Sequence, residues 1–214
     1  MSPKLSTSRK EQRSLQILDA AKRVFADKGY ASATLKDIIE ETGMSRGWIY
    51  LYYQTKEEIF EALLDHQDAD YGPYLDSLEE SSSSIWEVVT KLYSRQLQDL
   101  TDSSLMPAFY EYFLIGWRDE TRRILLRSRY DRGIAQFAAL LQKGVDRGEF
   151  IPVMEVTDIS RIAASFQEGI VTHSFTVGMD KANTRMQLQA LLTYLSSMLR
   201  PGHAGQANSR EETL

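Results

Sequence analysis

Cysteine is absent from the 214-residue chain, which excludes disulfide bonds and thiolate metal ligands. Histidine is scarce, and His66, His173 and His203 do not have the spacing of a metal-binding motif. No apolar run approaches the ~18 residues that cross a bilayer, and the first residues lack the apolar core of a signal peptide. These absences predict a soluble, cytoplasmic protein that holds no metal and no cofactor.

Catalytic motifs are missing as well. One hypothesis is a helical enzyme that acts on a small molecule, but the chain has no phosphate-binding glycine loop and no His-Glu metal motif. The paired carboxylates at residues 40–41 and 79–80 are typical of solvated helix faces. The sequence therefore favours a protein that is not an enzyme.

The net charge of −5 is unevenly distributed along the chain. Residues 1–56 hold ten basic and six acidic residues, a net charge of +4, whereas the remainder holds 15 and 24, a net charge of −9. A basic N-terminal region on an acidic body indicates a nucleic-acid-binding surface that is confined to the first quarter of the chain.

The most informative segment begins at Thr34. Thr34 and Asp37 match a variant of the capping box that starts a helix. Gly43 ends that helix, because glycine adopts a left-handed backbone without steric penalty. Ser45 is a candidate cap for a second helix over about residues 46–53. Two short helices joined by a glycine turn predict a helix-turn-helix.

The second helix of this motif has an unusual composition for a buried helix. Ile49 and Tyr53 are four residues apart and are predicted to face inward. The outward face then carries Arg46, Gly47, Trp48, Tyr50 and Tyr52. Basic and aromatic side chains on an exposed helix suit a DNA groove. The alternative, a small aromatic cluster inside a helical protein, does not explain the ordered caps and turn.

The residues before the motif are predicted to form a basic arm and a helix. Residues 1–8 are polar, and positive charge comes from Lys4, Arg9 and Lys10. Such an arm contacts the DNA backbone or minor groove, or is a solvated terminus. Ser8 and Glu11 match a capping box for a helix that ends at residues 28–29.

The ordered spacing of these residues resembles the N-terminal domain of the TetR family of transcription regulators. The resemblance covers roughly residues 9–60 and rests on residues 17–21, 34–39, 42–47 and 56–60, with Phe25, Gly29, Tyr30, Ile49, Tyr50, Tyr52 and Tyr53. The rest of the chain is compatible with the family only in its helical pattern.

The resemblance implies that the second helix of the motif enters the major groove. The implied DNA-contacting residues are Thr34, Lys36, Ser45, Arg46, Gly47, Trp48, Tyr50, Tyr52 and Lys56. Arg46 resembles a base-edge or phosphate contact, and Lys56 a phosphate clamp. Trp48 departs from the small residue more usual at its position, so base preference does not transfer from relatives. Lys36 and Lys56, taken singly, are also compatible with solvated surface charges.

We expect an all-α protein: an N-terminal three-helix helix-turn-helix DNA-binding domain plus a larger helical ligand-binding and dimerisation domain. The predicted bounds are 1–56 for the arm and motif, 57–200 for the second domain, and 201–214 for a disordered tail. A connecting helix starts at about residue 56, and Pro73 kinks or ends it. Further helices are predicted at about 85–101, 105–117, 119–147, 156–177 and 184–199.

The expected partners are a palindromic double-stranded DNA operator and a second copy of the chain. One recognition helix reads only a few base pairs, so specificity requires two symmetric half-sites. The apolar stripes of the last two helices would form a four-helix bundle between subunits, as in the family, or face the subunit's own core. No membrane partner is expected.

A small organic effector is the remaining expected partner, because aromatic residues are frequent in the middle of the chain. The candidate pocket residues are Trp86, Tyr93, Phe109, Tyr110, Phe113, Trp117, Phe166, Gln167 and His173. Each is also compatible with an ordinary core, and His173 with an interface. In the family, the filled pocket changes the spacing of the two DNA-binding domains and releases DNA. The alternative is a regulator or architectural DNA-binding module without an effector.

Overall fold

The computed structural model describes the backbone of residues 4–102 and 105–202. Ten helices lie in these ranges: α1 Lys4–Ser32, α2 Leu35–Thr42, α3 Arg46–Ile49, α4 Lys56–Glu80, α5 Ile85–Asp102, α6 Met106–Gly116, α7 Glu120–Asp146, α8 Val156–Val177, α9 Met179–Ala182 and α10 Thr184–Leu199. The β-structure of the described residues is an isolated bridge between Phe150 and Pro201. The all-α prediction is confirmed, and no helix within the described ranges has the length and apolarity to cross a membrane.

The chain divides into two compact units. The first unit comprises Met1–Tyr74 with Ser103–Asp119, and the second comprises Leu75–Asp102 with Glu120–Leu214. The division does not fall at the predicted boundary of residue 56. Helix α4 is shared between the units, and α6 belongs to the first unit because it packs along α1.

Helix α1 begins earlier than the sequence indicated. Its helical backbone starts at Lys4, so Ser8 lies inside the helix and the predicted capping box at Ser8 is wrong. Residues 4–10 therefore continue α1 instead of forming an arm, whereas residues 1–3 lie outside the described part. At Gly29, φ is 74° and ψ is 169°, so the predicted helix end is a break followed by one further turn to Ser32.

Proline does not end α4. Pro73 lies inside the helix, which continues to Glu80. Proline removes one N–H from the ladder and frees the carbonyl of Ala69. Both residues are exposed, so solvent can satisfy that carbonyl. The helix therefore tolerates this proline, and the two units divide immediately after it, at Tyr74.

The core of the second unit is mainly aliphatic and comes from α5, α7, α8 and α10. Its fully buried members include Ile85, Val89, Leu141, Ile159, Ala163, Leu191 and Leu195. The five helices predicted after residue 84 agree with the structure within about two residues at each end, because their apolar residues follow the helical period. The short helix α9 was not predicted.

The end of the described chain is tied to the second unit. Gly202 N–H donates to the Glu149 carbonyl at 2.7 Å, and Pro201 bridges Phe150. The predicted disordered tail therefore does not begin at Pro201, and residues 203–214 lie outside the described part. An added Cβ at Gly202 would collide with the carbonyl oxygen of Gly148, so this close approach requires glycine.

Candidate nucleic-acid interface

Helix α2 starts with the capping box that the sequence predicted. The Thr34 hydroxyl accepts a bond from Asp37 N–H at 3.2 Å, and the Asp37 carboxylate accepts from Thr34 N–H at 2.8 Å. Lys28 Nζ also donates to Asp37, at 2.7 Å. The bond from Lys28, followed by those from Thr34, lowers the pKa of Asp37 to about 2.

The turn after α2 is held by its backbone and by one hydroxyl. Gly43 has a left-handed backbone with φ of 64°, and its N–H donates to the Glu40 carbonyl at 3.2 Å. The Thr42 hydroxyl donates to the Ile39 carbonyl at 2.8 Å and accepts from Met44 N–H at 3.1 Å. These bonds fix the direction in which the chain enters α3.

Helix α3 is shorter than predicted. Regular α-helix covers only Arg46–Ile49. After Ile49 the backbone continues in tighter turns that are closed by bonds between residues three apart, such as Tyr52 N–H to the Ile49 carbonyl at 2.9 Å. Ser45 occupies the predicted N-cap position with an extended backbone, but its side chain makes no capping bond. We call residues 46–53 the recognition segment.

The two predicted inward positions of the recognition segment are anchored. Ile49 is fully buried, and the half-buried Tyr53 shares a hydrogen bond with the Ser14 hydroxyl at 2.7 Å. The exposed positions include Ser45, Arg46, Gly47 and Trp48. An added Cβ at Gly47 would meet no protein atom within 4 Å, so this surface is open to close approach.

Two arginine–aromatic contacts organise the exposed face. The Arg46 guanidinium lies 5.3 Å from the centre of the Tyr50 ring, and its Nη2 donates to the Tyr50 hydroxyl at 3.2 Å. The guanidinium of Arg13, on α1, lies 4.9 Å from the centre of the Trp48 ring. Arg13 and Ser14 are not identifiable from the sequence alone, because their contacts to the motif cross more than 30 residues of chain.

Tyr52 is half-buried at the side of this face. With Tyr53 and Leu51 it lines a surface cleft of about 320 Å³, and α1 supplies the opposite wall with Lys10, Glu11 and Ser14. The cleft places a lysine beside the recognition segment. Leu51 is 69% exposed at its rim.

Lys56 has an internal role that the sequence did not predict. Its ammonium donates to the carbonyls of Tyr30, Ala31 and Ala33, at 2.7, 3.2 and 2.8 Å, and lies 4.7 Å from the centre of the Tyr30 ring. The three acceptors match its three N–H donors. In this structure Lys56 binds the chain that follows the break at Gly29, so a phosphate contact by Lys56 stays a prediction and would compete with these three bonds.

The other predicted backbone contacts are at the surface. Lys36 is 82% exposed and lies 3.5 Å from Glu40, a contact that leaves its ammonium accessible. Thr34 is exposed, but its hydroxyl is engaged in the capping box.

Within the first unit, helix α6 supplies a side chain that binds the backbone just after the break at Gly29. The carboxylate of Glu111 accepts from Ala31 N–H at 2.8 Å, and Tyr112 donates its hydroxyl to Glu61 of α4 at 2.7 Å. The Tyr112 ring contacts those of Tyr30 and Phe60, with both pairs of centres 4.9 Å apart. The end of α1, the start of α4 and α6 are thus held together by directional contacts.

The nine candidate effector residues are divided between the two units. Those on or after α6 in the first unit are Phe109, Tyr110, Phe113 and Trp117, and those in the second unit are Trp86, Tyr93, Phe166, Gln167 and His173. Trp117 is 62% exposed, and His173 is exposed as well. Tyr93 is buried, with its ring against Phe137, whereas Trp86 and Phe166 pack on the core. The cleft beside Tyr52 is lined by none of the nine.

A capped helix, a left-handed glycine turn and a short exposed helix define a helix-turn-helix DNA-binding protein. Residues 17–63 match the sequence model of the bacterial regulatory proteins of the tetR family, and residues 89–185 match the tetracyclin repressor-like C-terminal domain. The chain belongs to the TetR family of transcriptional regulators, as the resemblance predicted. It is a DNA-binding regulator and not an enzyme.

Two relatives and one solved structure are similar to this chain over most of its length. The uncharacterized HTH-type transcriptional regulator YfiR of Bacillus subtilis is 36% identical over 203 residues, covering 93% of this chain and 98% of the relative. The HTH-type transcriptional repressor KstR2 of Mycolicibacterium smegmatis is 25% identical over 154 residues, covering 68% and 71%. A crystal structure of a TetR transcription regulator from Haloarcula marismortui superposes with a TM-score of 0.77 at 19% identity, covering 89% of this chain and 100% of that one.

Proposed function

We propose that the protein is a homodimeric transcriptional repressor that a small organic effector releases from its operator. The main support for DNA recognition is the exposed face of the recognition segment. On this face Arg46, Gly47 and Trp48 are open to solvent. The surrounding caps and turn hold that face in place. KstR2, a repressor, is similar over two thirds of this chain, which supports repression as the mode of regulation.

The proposed base contacts lie on the recognition segment. Arg46 carries a guanidinium whose planar fork fits guanine with two hydrogen bonds. Its bond to the Tyr50 hydroxyl, at 3.2 Å, occupies one of the five N–H donors of the guanidinium. Trp48 offers a large apolar ring for a thymine methyl or a sugar, and Gly47 allows the backbone to approach. Tyr50 and Tyr52 offer hydroxyls to phosphate or base.

The proposed flanking contacts are Lys36, Thr34 and Ser45. Lys36 supplies a largely exposed ammonium, and Ser45 a hydroxyl that makes no capping bond. The Thr34 hydroxyl remains bonded to Asp37, so its contribution is limited to an additional accepted bond. We leave Lys56 out of the proposed set, because its ammonium donors are occupied by three carbonyls.

The proposed dimer surface lies on α8 and α10. Residues of α8 at helical spacing are exposed or half-buried on one side: Ile162, Phe166, Gly169, His173 and Val177. Ile162 is 44% exposed, and Met186 of α10 is 54% exposed. The apolar members of this surface, Ile162, Phe166 and Val177 with Met186, suit a four-helix bundle with a second copy. A twofold dimer matches an operator with half-sites about 34–36 Å apart.

The proposed effector would act through α6, as the family relationship suggests. Within α6, the rings of Phe109 and Phe113 lie 4.3 Å apart, and α6 is bonded to α1 through Glu111. A ligand that displaces α6 would therefore act on α1, which carries Arg13 and Ser14 beside the recognition segment. A ligand shifts the equilibrium only if it binds the non-DNA conformation more tightly. Thermal stabilisation by apolar small molecules separates this proposal from a regulator without an effector.

The decisive experiment is a salt titration of binding to the DNA upstream of the protein's own gene. We expect tight binding that depends on sequence, with a steep salt dependence. Arg46→Ala should weaken operator binding about tenfold to a hundredfold, corresponding to one bidentate base contact. Tyr50→Phe should weaken it less. Both variants should remain dimeric by light scattering, and unchanged binding would overturn the assignment of the recognition segment.

A further inference from the structure

Trp48 stands on a helix too short to fix its side chain alone. Regular α-helix covers four residues, Arg46–Ile49, and a single turn has little stability of its own. The Trp48 side chain is 46% exposed, so core packing covers only part of it. The position of the ring therefore depends on the contacts it makes outside its own helix.

Two consecutive residues of helix α1 contact the recognition segment, Arg13 at Trp48 and Ser14 at Tyr53. The Arg13 guanidinium lies 4.9 Å from the centre of the Trp48 ring, within the range of a cation–π interaction. Ser14 bonds the Tyr53 hydroxyl at 2.7 Å, at the other end of the recognition segment. Helix α1 is itself anchored, because Ile17 and Ala21 are fully buried.

Arg13 also faces outward. It is exposed, and no hydrogen bond or ion pair to another described residue occupies its N–H groups. A guanidinium has five N–H donors in one plane, and the contact of its charge with a ring face uses none of them as hydrogen bonds, so they remain available for a phosphate oxygen. Arg13 can therefore hold the Trp48 ring and contact the DNA backbone at the same time.

We propose that Arg13 is a positioning residue for base recognition: it fixes the Trp48 ring on the recognition segment, and its free N–H groups bind a DNA phosphate. The inference rests on the proposed function, in which the recognition segment reads base edges. It adds that the base preference at the pair facing Trp48 is set partly by α1. A freely rotating ring would contact several bases and discriminate poorly between them.

The test uses the full-length protein and a pool of randomised DNA duplexes, so no operator needs to be known in advance. Base preferences are obtained by selecting and sequencing bound duplexes for the wild type, Arg13→Ala, Trp48→Ala and the double variant. Arg23→Ala is the matched control. It removes an exposed arginine from the same helix, ten residues beyond Arg13. Like Arg13, Arg23 contacts the helix-turn-helix, because its Nε lies 2.6 Å from the Glu41 carboxylate.

We expect Arg13→Ala to reduce the preference for one base over the others about threefold to tenfold at one position of each half-site. Trp48→Ala should reduce the preference at the same position. The double variant should lose no more discrimination there than Trp48→Ala alone. The salt slope of Arg13→Ala should fall by about 0.9 per bound subunit, as expected for one lost phosphate contact. Arg23→Ala should leave the base preference unchanged.

Arg13→Lys separates the two parts of the role. Lysine keeps the charge, so the salt slope should be retained, but it cannot stack a planar group on the ring, so part of the discrimination should be lost. An Arg13→Ala variant that binds all sequences more weakly with unchanged preference would overturn the positioning role. A wild type that selects no sequence would instead overturn the proposed function.

Discussion

The first unit combines aliphatic side chains with a cluster of four buried aromatic rings, whereas the core of the second unit is largely aliphatic. In the first unit Phe25, Tyr30, Phe60 and Tyr112 are buried with ring centres 4.9–5.8 Å apart in the contacting pairs, and the two tyrosine hydroxyls donate to Glu57 and Glu61. In the second unit the buried core consists largely of valine, leucine and isoleucine.

The two kinds of core differ in how narrowly they define the arrangement of the helices around them. Aliphatic packing stabilises helices without a strong preference for direction, whereas hydrogen bonds require particular distances and angles. A satisfied polar network makes a single arrangement more favourable than its alternatives. In the unit that carries the recognition segment, hydrogen bonds from Lys56 and to Glu111 hold the chain that follows the helix break at Gly29. This geometry must be kept if two recognition segments are to match a fixed operator spacing.

The largest effect is expected at the break itself, from Gly29→Ala. Gly29 has φ of 74° and ψ of 169°, a region that is essentially restricted to glycine, and an added Cβ would lie 2.6 Å from the Glu111 carboxylate. Backbone strain and displacement of Glu111 should together lower the free energy of unfolding by about 3 kcal/mol. Urea unfolding measures the loss, and hydrogen exchange should locate it in α1, α4 and α6.

Gly133→Ala is the control for that experiment in the second unit. Gly133 is exposed within α7, and an added Cβ meets no atom within 4 Å. Alanine should therefore stabilise the helix by about 0.5–1 kcal/mol. Equal effects of the two substitutions would contradict the view that the first unit depends on its break. Adding Glu111→Ala to Gly29→Ala should cost less than the sum of the single changes, since the clash is then removed.

A smaller loss is expected from Lys56→Met, which keeps an apolar stem of similar length and removes the ammonium. Three carbonyls around the break lose their donor, and the free energy of unfolding should fall by about 2 kcal/mol. Lys36→Met is the matched control, because Lys36 is 82% exposed and makes only one long contact. It should change stability by less than about 0.5 kcal/mol.

The same pair of variants distinguishes a structural lysine from a DNA contact. If Lys56 binds phosphate instead, its replacement should leave the urea midpoint unchanged and reduce the salt slope of DNA binding by about 0.9. For Lys36 the expected pattern is the reverse of that for a structural residue: unchanged stability and a reduced salt slope. Stability and salt slope, measured on the same protein samples, therefore assign each lysine.

The sequence predicted those features that short-range chemistry determines. The cap at Thr34 and Asp37 and the left-handed Gly43 involve residues within three or four positions of each other, so residue types alone indicate them. Helix bounds in the second unit followed from apolar periodicity. The failures at Ser8 and Ser45 differ in kind: α1 begins before Ser8, whereas Ser45 occupies the N-cap position of α3 but its side chain makes no capping bond.

The unpredicted features depend on contacts between distant parts of the chain. Lys56 reaches carbonyls 23–26 residues away, and Glu111 reaches Ala31 across 80 residues. Arg13 approaches Trp48 only after α1 has packed on the motif. Periodicity gives no information about such pairs, since each residue alone is compatible with an exposed charge. For the same reason the aromatic residues of the middle region could not be assigned to a pocket or to a core from their spacing.

The smallest effect is expected from helix caps, because each unit has one in which a carboxylate accepts bonds from the residues that precede the helix. Bonds from Lys28 and then Thr34 lower the pKa of Asp37 in the first unit to about 2, and bonds from Lys91 and then Ser83 lower the pKa of Glu87 in the second unit to about 2. Both values lie below those of the unfolded chain, near 4. Each carboxylate therefore stabilises the fold above pH ~4, and this contribution is lost as the pH falls towards 2.

Asp37→Asn and Glu87→Gln should consequently lower the urea midpoint at pH 6 and have progressively less effect at pH 4 and pH 3. Glu40→Gln, which removes an exposed carboxylate that caps no helix, is the control and should have a weaker effect at every pH. If the capping variants differ from the wild type equally at pH 6 and pH 3, the carboxylates do not stabilise the caps through their charge. A matching pH dependence in both units would show that local capping is common to them, and that their difference lies in the contacts between distant residues.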